Sequence, residues 1–226
     1  MSELVSQSQV TPEVLWSGLD APWLEAFSQA WEAFRTGNIA VGACAATLDG
    51  AIVHAARNRV ADRDGPAGEA FGSSLAHAEV NTVARLRYNQ RERLVLTTTL
   101  EPCIQCSAAI RLGPVSTVRY AGADPLWTGC HDFSPLSPRE ASRATVTMVG
   151  PRADEIGMFG TLISRFGPGR VDGAALEFLR AAGHSPVLDL ARAMELSGEA
   201  AGLATIAVNE AFGYMWPRLQ ALRAAM

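Results

Sequence analysis

The chain contains no lysine; all 19 of its basic residues are arginine. This excludes catalysis through a lysine Schiff base, including pyridoxal-type chemistry. Positive charge is also outweighed, because 23 acidic residues leave a formal net charge of −4. Nucleic-acid backbones demand a basic surface, so a nucleic-acid partner is not expected. Although 48% of the residues are hydrophobic, no continuous apolar run is long enough to span a bilayer. Met1 to Val10 is polar and lacks the basic and apolar regions of a secretory signal. Cysteine is scarce, with four in 226 residues, which argues against a disulfide scaffold and for a reducing, cytoplasmic setting. A chain of this length suits one domain with elaborations and can bury a real core.

The organising stretch is Leu100-Glu101-Pro102-Cys103-Ile104-Gln105-Cys106, directly after the β-rich run Leu94 to Thr99. It reads as a strand end feeding a helix, with Pro102 at the first helical position. Cys103 and Cys106 then share one face of the first turn, where the helix dipole biases both thiols toward thiolate, the form that binds metal. Alone, this pair is ambiguous between a redox dithiol and half of a zinc site. Upstream, Ser73 and Ser74 are candidate caps for a helix carrying His77 and Glu79 in its first turn. One histidine and two cysteines make three protein ligands, which leaves a fourth zinc position open, the catalytic pattern. Glu79 points elsewhere on its helix, and a carboxylate beside an open metal position is suited to moving protons there.

His77-Ala78-Glu79, followed after a strand by Pro102-Cys103-Ile104-Gln105-Cys106, resembles the signature of the zinc-dependent cytidine/deoxycytidylate deaminase superfamily. Histidine as first ligand is similar to the branch that includes tRNA-adenosine, guanine, cytosine and deoxycytidylate deaminases. The resemblance runs from about Phe27 to about Gly150. It implies that His77, Cys103 and Cys106 hold Zn2+, that Glu79 is the proton shuttle, and that Ala78 offers its backbone N–H to the substrate. An asparagine after the second strand commonly contacts substrate in this family, which implies the same for Asn58. The implied reaction is hydrolytic deamination of an aminated base, with release of ammonia.

Taken in order, residues 1–19 read as a loose N-terminal arm that Trp16 anchors. Asp20-Ala21-Pro22 starts a helix to about Arg35, with Trp23, Phe27, Trp31 and Phe34 facing a core. Ile39 to Ala46 and Ala51 to Ala56 read as strands of a hairpin around Leu48-Asp49-Gly50. Arg57, Arg59 and Arg63 flank Asn58 and are within reach of a phosphate if the substrate is a nucleotide. The glycine-rich loop Ala61 to Gly72 is a candidate mobile cover for the site. Arg85, Arg87, Arg91 and Arg93 form the one basic patch. Val115 to Ala121 reads as a strand parallel to its predecessor, and the loop after it brings Asp124, Trp127 and Thr128 to the ligand-binding end of the sheet. Cys130-His131 is left out of the metal site, which already has its three ligands. Ala144 to Val149 reads as a fifth strand, followed by a helix from Asp154 to Arg165.

The expected fold is an α/β, three-layer α/β/α sandwich around a five-stranded mixed sheet, with a zinc deaminase domain over residues 20–166. A helical C-terminal extension follows at 167–226, with helices at Val171 to Ala182 and Val187 to Leu196 and a longer one from Gly198, interrupted at Trp216-Pro217. Its many apolar positions must pack on the core or on another subunit, and an accessory cap over the site is the sharper possibility. The expected substrate is a small aminated base, nucleoside or nucleotide, and a homodimer or higher homo-oligomer is expected. Two alternatives stand beside it: a tRNA adenosine-to-inosine editing deaminase using the Arg85–Arg93 patch, and a catalytically silent, zinc-stabilised module that binds a partner through the extension.

Overall fold

The computed structural model describes residues 10–87, 92–167 and 173–226. Arg91, one member of the expected basic patch, lies outside the described residues. A five-stranded mixed sheet has the order β2-β1-β3-β4-β5. Its strands are β1 (Gly42–Ala46), β2 (Ile52–Arg57), β3 (Leu94–Leu100), β4 (Val115–Gly122) and β5 (Thr147–Val149). β1 pairs antiparallel with both β2 and β3, whereas β3–β4 and β4–β5 are parallel. A hairpin joins the antiparallel pair, and the parallel pair needs the helical crossover that α4 (Ile104–Leu112) supplies. β5 begins three residues later than expected because Ala144 turns its carbonyl to the Arg111 guanidinium.

Helices cover both faces. α3 (Ala78–Ala84) and α4 lie on one side, over a core of Ala43, Ala45, Leu94, Leu96, Val118 and Tyr120. On the other side lie α2 (Ala21–Arg35) and α6 (Glu155–Ile163). Asp20 caps α2 by accepting from the Trp23 N–H at 3.2 Å, with Pro22 in the first turn. α6 presses backbone to backbone on the sheet: a Cβ on Gly160 would sit 2.3 Å from the Thr99 carbonyl oxygen, and one on Gly122 would sit 2.4 Å from the Thr161 nitrogen. Only glycine at both positions permits this approach.

Of the C-terminal helices, α8 (Ser185–Leu196), α9 (Glu199–Leu203) and α10 (Val208–Ala225) share the α2–α6 core, whereas α7 (Ala174–Ala181) packs on Leu188 of α8 through Leu176 and Leu179; a short α5 (Pro138–Ala141) precedes β5. Phe212, Met215, Leu219 and Leu222 of α10 are buried with Phe27, Trp31 and Phe159. The Trp31 indole donates to the Ile206 carbonyl at 2.9 Å, and Arg35 Nε donates to the Ala204 carbonyl at 2.9 Å. The expected interruption at Trp216-Pro217 does not occur; Pro217 lies within α10. A mid-helix proline costs about 3 kcal/mol, and the buried side chains before and after it outweigh that. The chain breaks instead between Leu203 and Val208. Near the other terminus, Pro12–Ser17 forms α1, and Trp16 packs on Phe27 and Phe212 with ring centroids 5.5 and 5.1 Å away. Among the described residues, no helix is long and apolar enough to cross a membrane.

Because Phe212 is fully buried between α1, α2 and α6, Phe212→Ala is expected to lower unfolding free energy by about 3–5 kcal/mol in chemical denaturation. A loss below about 1 kcal/mol would show that α10 rests loosely on the body.

Candidate metal centre and active site

His77 and Cys103 occupy equivalent places. Each is the cap residue of a helix, in extended backbone conformation, and neither side chain caps its helix. The serines expected to cap α3 instead form the turn before it, with Ser73 Oγ accepting from the Leu75 N–H. Pro102 likewise falls one residue ahead of the α4 cap rather than inside the helix. Both shifts have one cause: the cap position leaves a side chain free to turn sideways, toward the neighbouring helix start. His77 Nδ1 lies 3.5 Å from Cys103 Sγ and 3.4 Å from Cys106 Sγ, and the two sulfurs are 3.4 Å apart.

These separations match one ion. Zn–S bonds near 2.3 Å and Zn–N bonds near 2.0–2.1 Å, arranged tetrahedrally, put ligand atoms about 3.5–3.8 Å apart. The donor set, one imidazole and two thiols, is also zinc's own. Without metal, the thiols divide unequally. The hydrogen bond with Cys106 holds the Cys103 pKa down, to about 4, against burial and with help from His77. The same hydrogen bond, together with burial and the nearby Glu79 carboxylate, pushes Cys106 well above the ordinary thiol value. Only one of the two thiols is therefore biased toward thiolate, because two adjacent sulfurs, one half-buried and one buried, hold one negative charge more readily than two.

Glu79 is 3% exposed. Its Oε1 accepts from Thr98 Oγ1 at 3.0 Å and its Oε2 from Cys106 Sγ at 3.3 Å. Burial raises its pKa, with His77 opposing. Thr98 reaches it because alternate β3 residues face α3, the side on which Leu94 and Leu96 lie.

A cavity of about 280 Å³ opens on this cluster and is lined by His77, Glu79, Cys103 and Cys106. Asn58, Asp124 and Trp127, singled out from the sequence, also line it. Asn58 is buried directly after β2, and its Oδ1 accepts from the Val60 N–H at 3.1 Å. Trp127 is half-buried. Ala78 is buried at the start of α3 and does not line the cavity, and Thr128 is exposed outside it. Glu101, Leu126, Ser164, Arg165 and Ala175, to which the sequence assigned no role in the site, line the wall as well, with Ile39, Val41 and Leu100. Arg165 and Ala175 lie beyond the signature, and no spacing rule pointed to them.

Two sequence expectations fail here. The Ala61–Gly72 loop contributes nothing to the cavity wall. It is fastened down, with Asp62 paired to Arg57 at 2.7 Å and Arg59 at 3.0 Å, and Glu69 paired to Arg59 at 2.6 Å. That network also consumes Arg57 and Arg59, which leaves neither for a substrate phosphate. In the basic patch, Arg85 donates to the Ala67 carbonyl and Arg93 to the Val115 carbonyl.

The metal cluster predicts that zinc binding displaces protons, since Cys106 must shed its own. Uptake of one zinc ion is expected to release at least one proton to an indicator dye, and affinity is expected to fall as pH falls. Cys106→Ala is expected to bind zinc at least about 10-fold more weakly. Unchanged affinity in that variant, with no proton released by the wild type, would rule out the cluster as the metal site.

Residues 22–121 match the family model described as the cytidine and deoxycytidylate deaminase zinc-binding region. Two curated relatives are named tRNA-specific adenosine deaminase 2. The protein from Xenopus tropicalis is 29% identical over 119 residues, covering 48% of this chain and 65% of the relative. The one from Danio rerio is 33% identical over 113 residues, covering 48% of this chain and 51% of the relative. The chain thus spans about half to two thirds of the length of the curated relatives it matches. A solved guanine deaminase from Nitrosomonas europaea aligns with a TM-score of 0.42 at 20% identity, over 72% of this chain and 85% of that one. The signature residues gather at one cavity and the matched segment runs through both helix starts, so this part of the chain is similar to the zinc-binding region of the cytidine and deoxycytidylate deaminases.

Proposed function

We propose that this protein hydrolyses the exocyclic amine of an aminated nucleobase, free or as its nucleoside or nucleotide, and releases ammonia. The observation that carries this reading is the buried Glu79 carboxylate, 3.3 Å from Cys106 Sγ and facing the same cavity as the three metal-ligating side chains. His77, Cys103 and Cys106 are the proposed zinc ligands. Bound there, zinc supplies the Lewis acidity that lets water act as a nucleophile near neutral pH. Glu79 takes the proton that water loses, at Oε2, while Thr98 holds Oε1 in place. It passes that proton to a ring nitrogen of the base as the carbon bearing the amine is attacked. It then takes the remaining proton of the hydroxyl now bonded to that carbon and delivers it to the departing nitrogen, so that the carbon–nitrogen bond breaks, ammonia leaves and a carbonyl remains. Asn58 is the proposed holder of the base edge, Asp124 shapes the pocket, and Trp127 offers a flat face on which a planar ring can stack.

In this reading the deaminase unit spans residues 20–166, between the arm 1–19 and the helical extension 167–226. The chain works in the cytoplasm, where its four unpaired cysteines stay reduced. It assembles as a homodimer or higher homo-oligomer, for which the exposed Ile104 and Leu112 of α4 provide apolar surface. The net charge of −4 and the engagement of Arg85 and Arg93 by backbone carbonyls favour a small substrate over RNA. One observation favours a second reading, tRNA adenosine editing: both curated relatives bear that activity in their names.

Ammonia release from a panel of aminated bases, nucleosides, nucleotides and an unmodified tRNA separates the two. Small-molecule turnover is expected, and activity confined to tRNA would select the second reading. Glu79→Gln is expected to retain zinc while turnover falls about 10²–10⁴-fold; full activity in that variant would refute the proton-shuttle role.

A further inference from the structure

Arg57 and Arg165 are buried to the same depth, with side chains 9% and 8% exposed. Arg57 spends its donors, on the Asn58 carbonyl at 3.0 Å and on both Asp62 oxygens. Arg165 does not. Its Nη2 lies 3.0 Å from Asp124 Oδ1, yet without the alignment of a hydrogen bond, and both Nε and Nη2 are buried without a hydrogen-bond partner. Buried donors left in this state are rare and call for a physical reason. Arg165 lines the same cavity as His77 and Glu79, two residues beyond the end of α6.

We propose that Arg165 is a specificity-determining residue whose guanidinium donates to a neutral carbonyl oxygen on the substrate's ring. The inference rests on the deaminase reading and narrows it to bases that carry an oxo group as well as an amine, as cytosine and guanine do. Adenine has no ring carbonyl to offer.

Charge selects a carbonyl over a phosphate. Among the described residues, the cavity wall holds three carboxylates, Glu79, Glu101 and Asp124, against one guanidinium. Asp124 already balances Arg165, so an incoming phosphate would meet carboxylates with no unpaired guanidinium among those residues to offset them. His184 packs toward the same pair, and burial and the Arg165 charge hold its pKa below the ordinary imidazole value, with Asp124 opposing. A neutral oxygen needs only the N–H groups, and those are what Arg165 has unspent. A planar guanidinium suits this task, since its donors form a rigid fork.

The test compares substrates that differ only in the carbonyl: cytosine with 4-aminopyrimidine, and guanine with 2-aminopurine, with adenosine, 5′-monophosphates and a tRNA transcript alongside. For the zinc-loaded wild type, loss of the carbonyl is expected to lower kcat/KM by about 10²–10⁴-fold. Arg165→Gln is expected to raise KM for the carbonyl substrate about 10–100-fold with a smaller change in kcat, and to erase the preference within each pair. Arg165→Lys, which keeps the charge and loses the fork, is expected to fall between. Equal wild-type turnover of both members of a pair, or a preference for adenosine or tRNA, would overturn the inference and leave deamination standing. A loss in Arg165→Gln confined to monophosphates would overturn it in favour of phosphate recognition. If Arg165→Gln fails to fold, the wild-type comparison decides by itself. Calorimetric binding of the same pairs to the zinc-loaded Glu79→Gln protein separates the two readings. Arg165-dependent preference for the carbonyl base, without turnover in the wild type, would remove deamination and keep the recognition role.

Discussion

The ligand atoms of His77 and Cys103 come within 3.5 Å of each other only because two helices start side by side at one end of the sheet. Each residue caps its helix, and each leaves the cap hydrogen bond unmade in favour of its neighbour across the gap. The sheet enforces this. β3 sits between β1 and β4, antiparallel to one and parallel to the other, so the chain leaves β3 at the edge where α3 also begins. The same pairing aims Thr98 at Glu79. A slip of one residue in β3 would turn Thr98 away and bring its polar neighbours' alternation onto the wrong face.

The absence of lysine gives this protein one kind of cation, and the fold uses it in two ways. Arg57 and Arg59 are engaged by Asp62, Glu69 and backbone carbonyl oxygen, and they pin the loop after β2. Planar guanidinium groups with several donors can hold such a network together where a point charge could not. Arg165 sits equally deep and is paired to Asp124, yet its Nε and Nη2 make no hydrogen bond. Buried charge is costly unless it is both paired and hydrogen-bonded, so the contrast separates a fully engaged arginine from one that is paired without hydrogen bonds at those atoms.

The C-terminal helices belong to the body that shapes the cavity. Leu126, on the loop after β4, packs with Leu176, Leu179 and Leu188 of α7 and α8. Ala175 of α7 reaches the cavity wall itself. The loop carrying Asp124 and Trp127 therefore rests on elements far along the chain, and the shape of the substrate end depends on how α7 and α8 seat against it. The metal end, by contrast, is built from α3, α4 and the central strands alone.

The metal-ligating residues and Glu79 were legible in the sequence because their chemistry depends on short spacings: His77 to Glu79, and Cys103 to Cys106. The hairpin, the parallel crossover and the apolar stripe of α2 were legible for the same local reason, since turn residues and periodicity are written over a few positions. The caps were misread because Ser73 and Ser74 have strong local preferences, which the approach of His77 to the cysteines overrides. Pro217 was misread as a break because the burial that compensates it comes from Phe27 and Phe159, far away in sequence. Arg165 was invisible for a deeper reason. Its significance lies in hydrogen bonds it does not make, and only the packed structure reveals which arginines have been satisfied and which have not.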